Sequence, residues 1–122
     1  MFTKRLVALI SLSLLSCLLT VSHPAAQQRE NTLAKQVFGI FQESCAECHG
    51  DQGEDKDKFW LNYQAMIKEG TVIPGKPDTS LVYTIVKSGK MPQGRPPLPT
   101  DQIADIRKWI SEGAPDWNLN NE

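Results

Sequence analysis

Apolar and polar positions recur with helical spacing along much of the chain, beginning after a polar stretch at residues 27–31. We expect that stretch to be a loose lead-in to the first helix, which Asn31 or Thr32 can cap. The helix should end at Gly50, because residues 50–58 contain no apolar side chain and predict a solvated loop. Its buried face is predicted to comprise Leu33, Val37, Ile40 and Phe41.

Three further helices are predicted downstream. A short one runs from about Asn62 to Glu69, and another covers roughly 79–88 with Asp78 as its N-cap. The last begins behind a Thr100 cap and stops at Gly113. The buried positions predicted for the last two helices are Leu81, Val82, Ile85 and Val86, then Ile103, Ile106, Trp109 and Ile110.

Residues 90–99 separate the last two predicted helices and hold four prolines and one glycine. Each proline fixes its own φ, so the segment should be a stiff loop rather than a helix or a central strand. No stretch predicts a strand, and the chain has no internal repeat. The pattern therefore indicates a small all-α domain with long, ordered loops.

The N-terminal residues have the composition of an export signal. Lys4 and Arg5 precede the apolar stretch Leu6–Val21, and Ala25 and Ala26 supply small side chains at a cut site. We expect residues 1–26 to be a cleaved signal peptide. The domain at 27–122 would then be exported, for example to a bacterial periplasm.

Two alternatives for this leader stay open: a retained membrane anchor and a lipidated cysteine. Only these two would bring the domain to a membrane. The apolar stretch is slightly short for a retained anchor of about 20 residues, and it contains serines. The segment Leu14–Cys17 loosely resembles a bacterial lipobox, which would lipidate Cys17, although apolar residues continue beyond it.

Composition narrows the class of protein further. The 122 residues allow one domain, and residues 27–122 carry a net charge of −3, which argues against a nucleic-acid partner. Counting Gly and omitting Tyr, about 41% of those residues are apolar, below the usual 45–50%. A bound group is therefore expected to supply part of the core.

The informative motif is Cys45-Ala-Glu-Cys48-His49, at the end of the first predicted helix. In an exported protein this spacing is typical of covalent attachment of one haem c. The two thiols form thioethers with the haem vinyl groups, and the adjacent imidazole becomes the proximal iron ligand. Structural zinc needs four ligands, more than the domain's two Cys and one His offer. A thioredoxin-like pair would need a βαβ context, and a disulfide is the remaining alternative.

A distal iron ligand can be sought by elimination. His23 lies in the predicted leader, so the domain has no second histidine. Met66 lies on the short predicted helix, where core packing explains it. Met91 lies in the stiff proline-rich loop, so we predict Met91 as the distal ligand; the alternative is a half-exposed loop methionine.

Ligation by His49 and Met91 would leave no open iron position, and thioether ligation raises the reduction potential. We therefore expect a monomeric electron carrier rather than an enzyme, working between protein redox partners such as a dehydrogenase and an oxidase. One alternative is a haem sensor or peroxidase-like enzyme whose Met91 is displaced. Another is an electron-entry subunit of a larger oxidoreductase.

From Val37 to Trp117 the chain resembles class I cytochrome c, and is especially similar to planctomycete-type cytochrome c domains. The resemblance implies about four helices packed around a covalent haem, with Phe41 and Trp109 where the first and last helices cross. Cys45 and Cys48 would bear the haem, with His49 proximal and Met91 distal. The matching pieces are C-A-E-C-H-G, P-G-K-P-D-T-S-L-V-Y-T-I-V, G-K-M-P, P-L-P-T-D-Q-I and W-I-S-E-G-A-P-D-W.

The chain departs from that family at Leu61, where many members have a proline whose carbonyl accepts from the proximal imidazole. The planctomycete-type domains also often belong to larger chains. Trp60, Lys76 and Tyr83 are candidates to meet a haem propionate; packing of the aromatic rings and a solvated loop for Lys76 are the alternatives.

Basic residues surround the predicted distal ligand, whereas the loop at 51–57 is acidic. This asymmetry is suited to docking a charged redox partner, although ordinary surface charge explains it as well. The basic residues concerned are Lys87, Lys90 and Arg95.

Overall fold

The computed structural model describes residues 24–54 and 61–118. Within those ranges the chain forms four α-helices and a 3₁₀ turn and contains no strand, which confirms the all-α prediction. The helices are α1 (Pro24–His49), α2 (Tyr63–Lys68), α3 (Leu81–Lys87) and α4 (Thr100–Ser111), and the 3₁₀ turn is Pro77–Thr79.

Several predictions fall outside the described residues. These are the leader up to residue 23, including Cys17 and His23, the part of the acidic loop at 55–57, and Trp60. None of the helices in the described ranges combines the length and the apolar composition that a membrane span requires.

The predicted start of α1 is wrong, because the helix already begins at Pro24 and includes the polar stretch at 27–31. That stretch is rich in Gln, Arg and Glu, which have high helix propensity. The Thr32 hydroxyl caps nothing and donates to the carbonyl of Gln28 at 2.8 Å, one turn earlier. Polarity in this stretch is therefore compatible with a helix and does not indicate a loop.

The short helix α2 is confirmed to within one residue at each end. Asn62 is its N-cap, and its side chain accepts from the backbone N–H of Ala65 at 3.1 Å. Met66, predicted to pack in the core, is 1% exposed.

The N-cap and the buried face predicted for α3 need correction. Asp78 lies inside the 3₁₀ turn, and Ser80 is the residue that precedes the helix. Leu81, predicted to be buried, is 54% exposed, whereas Tyr83, which was not predicted to face the core, is buried. The residues of α3 that are buried are Val82, Tyr83 and Val86, and Ile85, also predicted to be buried, is half-buried.

The fourth helix agrees with the prediction except at its cap. Thr100 is the first helical residue and Pro99 takes the N-cap position. Gly113 adopts φ 94° just beyond the C-cap, as the predicted stop requires. Ile106, Trp109 and Ile110 are buried, and Ile103 is half-buried.

Packing of α1 against α4 builds the centre of the core. The rings of Phe41 and Trp109 meet edge to face with centroids 6.1 Å apart, which confirms the contact expected for these two residues. Trp117 lies 5.5 Å from Trp109 and 6.2 Å from Phe41, so the segment after α4 closes the same cluster. This packing holds the C-terminal turn of α1, with the cysteine motif, on a rigid helix.

Candidate functional site

The last turns of α1 carry the three residues of the cysteine–histidine motif. Cys45 and His49 are four residues apart and therefore share one side of the helix, with Cys48 offset to the neighbouring side. Cys45 and His49 are half-buried and Cys48 is exposed. Both cysteines are free thiols, so the motif is not a disulfide in this structure.

The two thiols differ in environment. Cys45 packs against the edge of the hydrophobic core, and burial raises its pKa to about 11. The guanidinium of Arg95 opposes this shift and the neighbouring Cys48 adds to it. Cys45 is therefore a protonated thiol at neutral pH, and Cys48 is the more accessible of the pair.

A tight turn follows the motif and depends on two glycines. Gly50 donates its N–H to the carbonyl of Ala46 at 2.9 Å, and Gly53 donates to the carbonyl of Gly50 at 2.8 Å. A Cβ on Gly53 would lie 2.0 Å from the carbonyl oxygen of Cys48, so only glycine fits there. The glycines in G-D-Q-G were the available signal for this role, which the sequence analysis did not assign.

Met91 begins the proline-rich loop and is half-buried at the edge of the core, as Cys45 is. The backbone N–H groups of Lys90 and Met91 donate to the carbonyl of Ile85 at 3.0 and 3.3 Å, which anchors the loop to the end of α3. The thioether of Met91 is thus more accessible than that of Met66, which the core encloses.

Arg95 joins the loop of Met91 to the motif. One guanidinium nitrogen donates to the carbonyl of Glu43 at 3.3 Å, and the other forms an ion pair with the carboxylate of Glu47. Glu47 lies between Cys45 and Cys48 in the chain. The charge pattern of the sequence places Arg95 among basic docking residues, because that pattern does not show which carboxylate a guanidinium meets.

A cavity of about 610 Å³ lies beside this region. It is lined by Phe38 and Gln42 of α1, by Gly50 and by Leu61, together with three neighbouring residues. None of Cys45, Cys48, His49 and Met91 contributes to its lining. The cavity is therefore separate from the predicted haem-binding side chains. Leu61, which is half-buried, lies in its wall.

The remaining candidate residues occupy ordinary structural positions. Tyr83 is buried, and the ammonium of Lys87 lies 5.3 Å from the centre of its ring in a cation–π contact. Lys76 is exposed just before the 3₁₀ turn. Core packing, the alternative considered for Tyr83, is thus observed; a contact with a haem propionate stays a prediction.

The chemistry of the donor set would fit a haem c group. Among the described residues, no three His, Cys, Asp or Glu side chains form a group that would hold a metal. Two thiols within one helical turn would attach a haem covalently, and the adjacent imidazole and a thioether in a loop tied to that turn are side chains that ligate haem iron.

Comparison of the chain with protein-family models, with curated proteins and with solved structures yields no match.

Proposed function

We propose that this chain is an exported, mono-haem c-type cytochrome that carries single electrons between protein redox partners. The observation that carries the proposal is the Arg95 contact with Glu43 and Glu47. It ties the loop of Met91 to the helical turn that bears both cysteines and His49. The thioether of Met91, about forty residues from the motif in sequence, is thereby linked through its loop to the turn that carries the two thiols and the imidazole.

The role of each residue follows from its chemistry. When bound, the haem supplies a one-electron couple that the protein side chains lack. Cys45 and Cys48 would hold it covalently, and His49 and Met91 would be the two side chains that bind its iron. The contact between α1 and α4 supports the helix that carries His49, and the proline-rich loop limits the motion of Met91.

These roles favour a carrier over an enzyme. If His49 and Met91 both bind the iron, no position would be left there for a substrate, and a thioether ligand would favour the ferrous state. The partners we propose are a dehydrogenase and an oxidase, met by a monomer outside the cytoplasm.

The visible spectrum of the ferric protein tests the ligand assignment. We expect low-spin iron with the weak red charge-transfer band of sulfur–iron ligation, lost in Met91→Ala. Met66→Leu is the matched control, because it removes the other sulfur and conserves core volume, and it should keep the band. Loss of the band in Met66→Leu with retention in Met91→Ala would contradict the assignment, and a high-spin wild-type spectrum would favour a sensor or peroxidase-like enzyme.

Attachment has a separate test. The double variant Cys45→Ala/Cys48→Ala should retain no haem on denaturing electrophoresis, whereas Ser88→Ala, at an exposed site on the cap of α3, should retain it. Covalent haem in the double variant would refute the proposed role of the motif.

A further inference from the structure

We propose that Arg95 is a positioning residue for Met91, and that its bridge to Glu47 holds the Met91 loop against the haem-bearing turn of α1. This inference rests on the proposed function, which it extends to a residue outside the ligand set. The Arg95–Glu47 bridge, meaning the ion pair together with the hydrogen bond to the Glu43 carbonyl, would control how often the distal ligand leaves the iron.

The loop needs such a contact in its middle. Its start is anchored by the N–H groups of Lys90 and Met91 on Ile85, and its end by the buried side chain of Leu98. Between these anchors, residues 93–97 are all exposed. Arg95 lies at the centre of that exposed stretch and reaches α1.

The geometry of the bridge suits an arginine. Glu43 and Glu47 are four residues apart, so the carbonyl and the carboxylate lie on one side of α1, one turn from each other. The planar guanidinium uses a different nitrogen for each of them. Gly94 precedes it with φ 71°, a left-handed conformation that turns the chain there and that favours glycine.

Stiffness of the loop transmits the contact to Met91. Pro92, Pro96 and Pro97 fix their own φ angles on either side of Arg95, so the segment has few ways to move independently of it. Met91 lies four residues before Arg95 in the same segment. A contact at Arg95 therefore restricts the thioether without touching it.

Because both partners are partly exposed, the bridge should be modest in strength and sensitive to salt. The side chains of Arg95 and Glu47 are 43% and 69% exposed. An ion pair of this kind changes an equilibrium by about 1.5- to 5-fold, and salt screens it. Imidazole, which competes with Met91 for the distal position, reports that equilibrium directly.

The experiment is an imidazole titration of the ferric holoprotein at low salt, followed in the red sulfur–iron band. We expect Arg95→Gln and Glu47→Gln each to bind imidazole about threefold more tightly than wild type. The double variant should show no further gain, and about 0.5 M salt should bring wild type close to the variants.

Arg107→Gln is the matched control. Its ion pair with Asp78, at 3.6 Å, is exposed to a similar degree, 51% and 67%, but joins α4 to the 3₁₀ turn. We expect this variant to keep the wild-type imidazole affinity. Thermal unfolding followed by helical circular dichroism should place all of these variants within a few degrees of one another.

Two results would overturn the bridge while leaving the proposed function standing. One is a wild-type imidazole affinity in Arg95→Gln; the other is full additivity of the two single substitutions, since partners in one contact do not act independently. A wild-type ferric protein without the sulfur–iron band would overturn both proposals, because Met91 would then not be the ligand that Arg95 positions.

Discussion

At the scale of single residues, the two cysteines of the motif differ by environment and not by chemistry. Cys48 is exposed, whereas Cys45 packs on the core and its pKa is raised to about 11 by burial. Because the thiolate is the reactive form, the same reagent should distinguish the two side chains.

We predict that in the haem-free chain at pH 8 iodoacetamide alkylates Cys48 at least about tenfold faster than Cys45. The Cys45 rate should climb steeply as the pH rises toward 11, because only then does its thiolate form. Mass spectrometry of Cys45→Ala and Cys48→Ala separates the two rates. Equal rates in the two variants would contradict the burial of Cys45.

The raised pKa of Cys45 also makes the free energy of unfolding depend on pH. In the haem-free chain, where Cys45 is a free thiol, the folded state holds its proton more tightly than an unfolded chain, whose thiol has a pKa near 9.0. Its contribution to the free energy of unfolding is therefore complete below about pH 9 and falls as the pH rises from 9 to 11.

Replacing either of two glycines by alanine, one in α1 and one just after it, should change the free energy of unfolding in opposite directions. A Cβ on Gly39 meets nothing within 4 Å, so Gly39→Ala should stabilise the protein by about 0.5–1 kcal/mol through helix propensity. Gly53→Ala should destabilise it, because its Cβ would lie 2.0 Å from the carbonyl oxygen of Cys48. Urea unfolding of both variants measures the difference, and a loss of stability in Gly39→Ala would count against the described helix.

At the scale of elements, the segment before α3 is organised by one buried hydroxyl. Ser80 accepts from the N–H of Ile73 at 2.9 Å and donates to the carbonyl of Lys76 at 2.9 Å. The loop that contains both partners also reaches α4, where Gly75 donates its N–H to the carbonyl of Ile110 at 2.7 Å. Ser80 therefore holds the 3₁₀ turn and the start of α3 in place.

Ser80→Ala should lower the free energy of unfolding by about 1–3 kcal/mol, because the Ile73 N–H loses its partner inside the protein. Ser88→Ala, which removes an exposed hydroxyl bonded to the carbonyl of Ile85, should change it by less than about 0.5 kcal/mol. Chemical denaturation of the two variants tests the comparison. Equal stabilities would mean that the Ser80 hydrogen bonds contribute nothing net.

At the scale of the whole molecule, the contact of α1 with α4 is the framework that carries everything else. Phe41, Trp109 and Trp117 form one aromatic cluster, and the indole N–H of Trp109 donates to the carbonyl of Pro115 at 2.9 Å. Tyr63 extends the cluster from α2, with its ring 5.3 Å from Trp117 and its hydroxyl bonded to the carbonyl of Ala114 at 2.7 Å. The cluster therefore joins α1, α2, α4 and the segment that follows α4.

Phe41→Ala should cost about 3–5 kcal/mol, a large part of the total stability of a domain this small. The loss would act throughout the molecule because the ring contacts both tryptophans. Leu81→Ala is the control at an exposed apolar position and should cost less than about 0.5 kcal/mol. Unfolding monitored by tryptophan fluorescence measures both, and a small effect of Phe41→Ala would show that the cluster is not the core of the fold.

Local patterns identified most of the helical architecture. The spacing of Ile106, Trp109 and Ile110 placed one face of α4 correctly, because these side chains must leave water together. The interior role of Met66 was also confirmed. The cysteine–histidine motif is visible in the sequence alone, because its chemistry depends on residue order within one turn.

The errors share a physical cause. Asp78, Thr100 and Thr32 are good capping residues, but each lies where the chain is already in a 3₁₀ turn or a helix. A cap contributes only about 1 kcal/mol, so the helix propensity of the preceding residues or a preceding turn decides where the helix begins.

The sequence by itself determined the all-helical class and the order of the motif, the proline-rich loop and the last helix. The contact of Arg95 with Glu43 and Glu47 emerges only from the folded chain. Helical periodicity and residue order are properties of neighbouring residues, so a sequence displays them. A contact across about fifty residues depends on how separate elements pack, and no local pattern encodes which carboxylate a flexible guanidinium will meet.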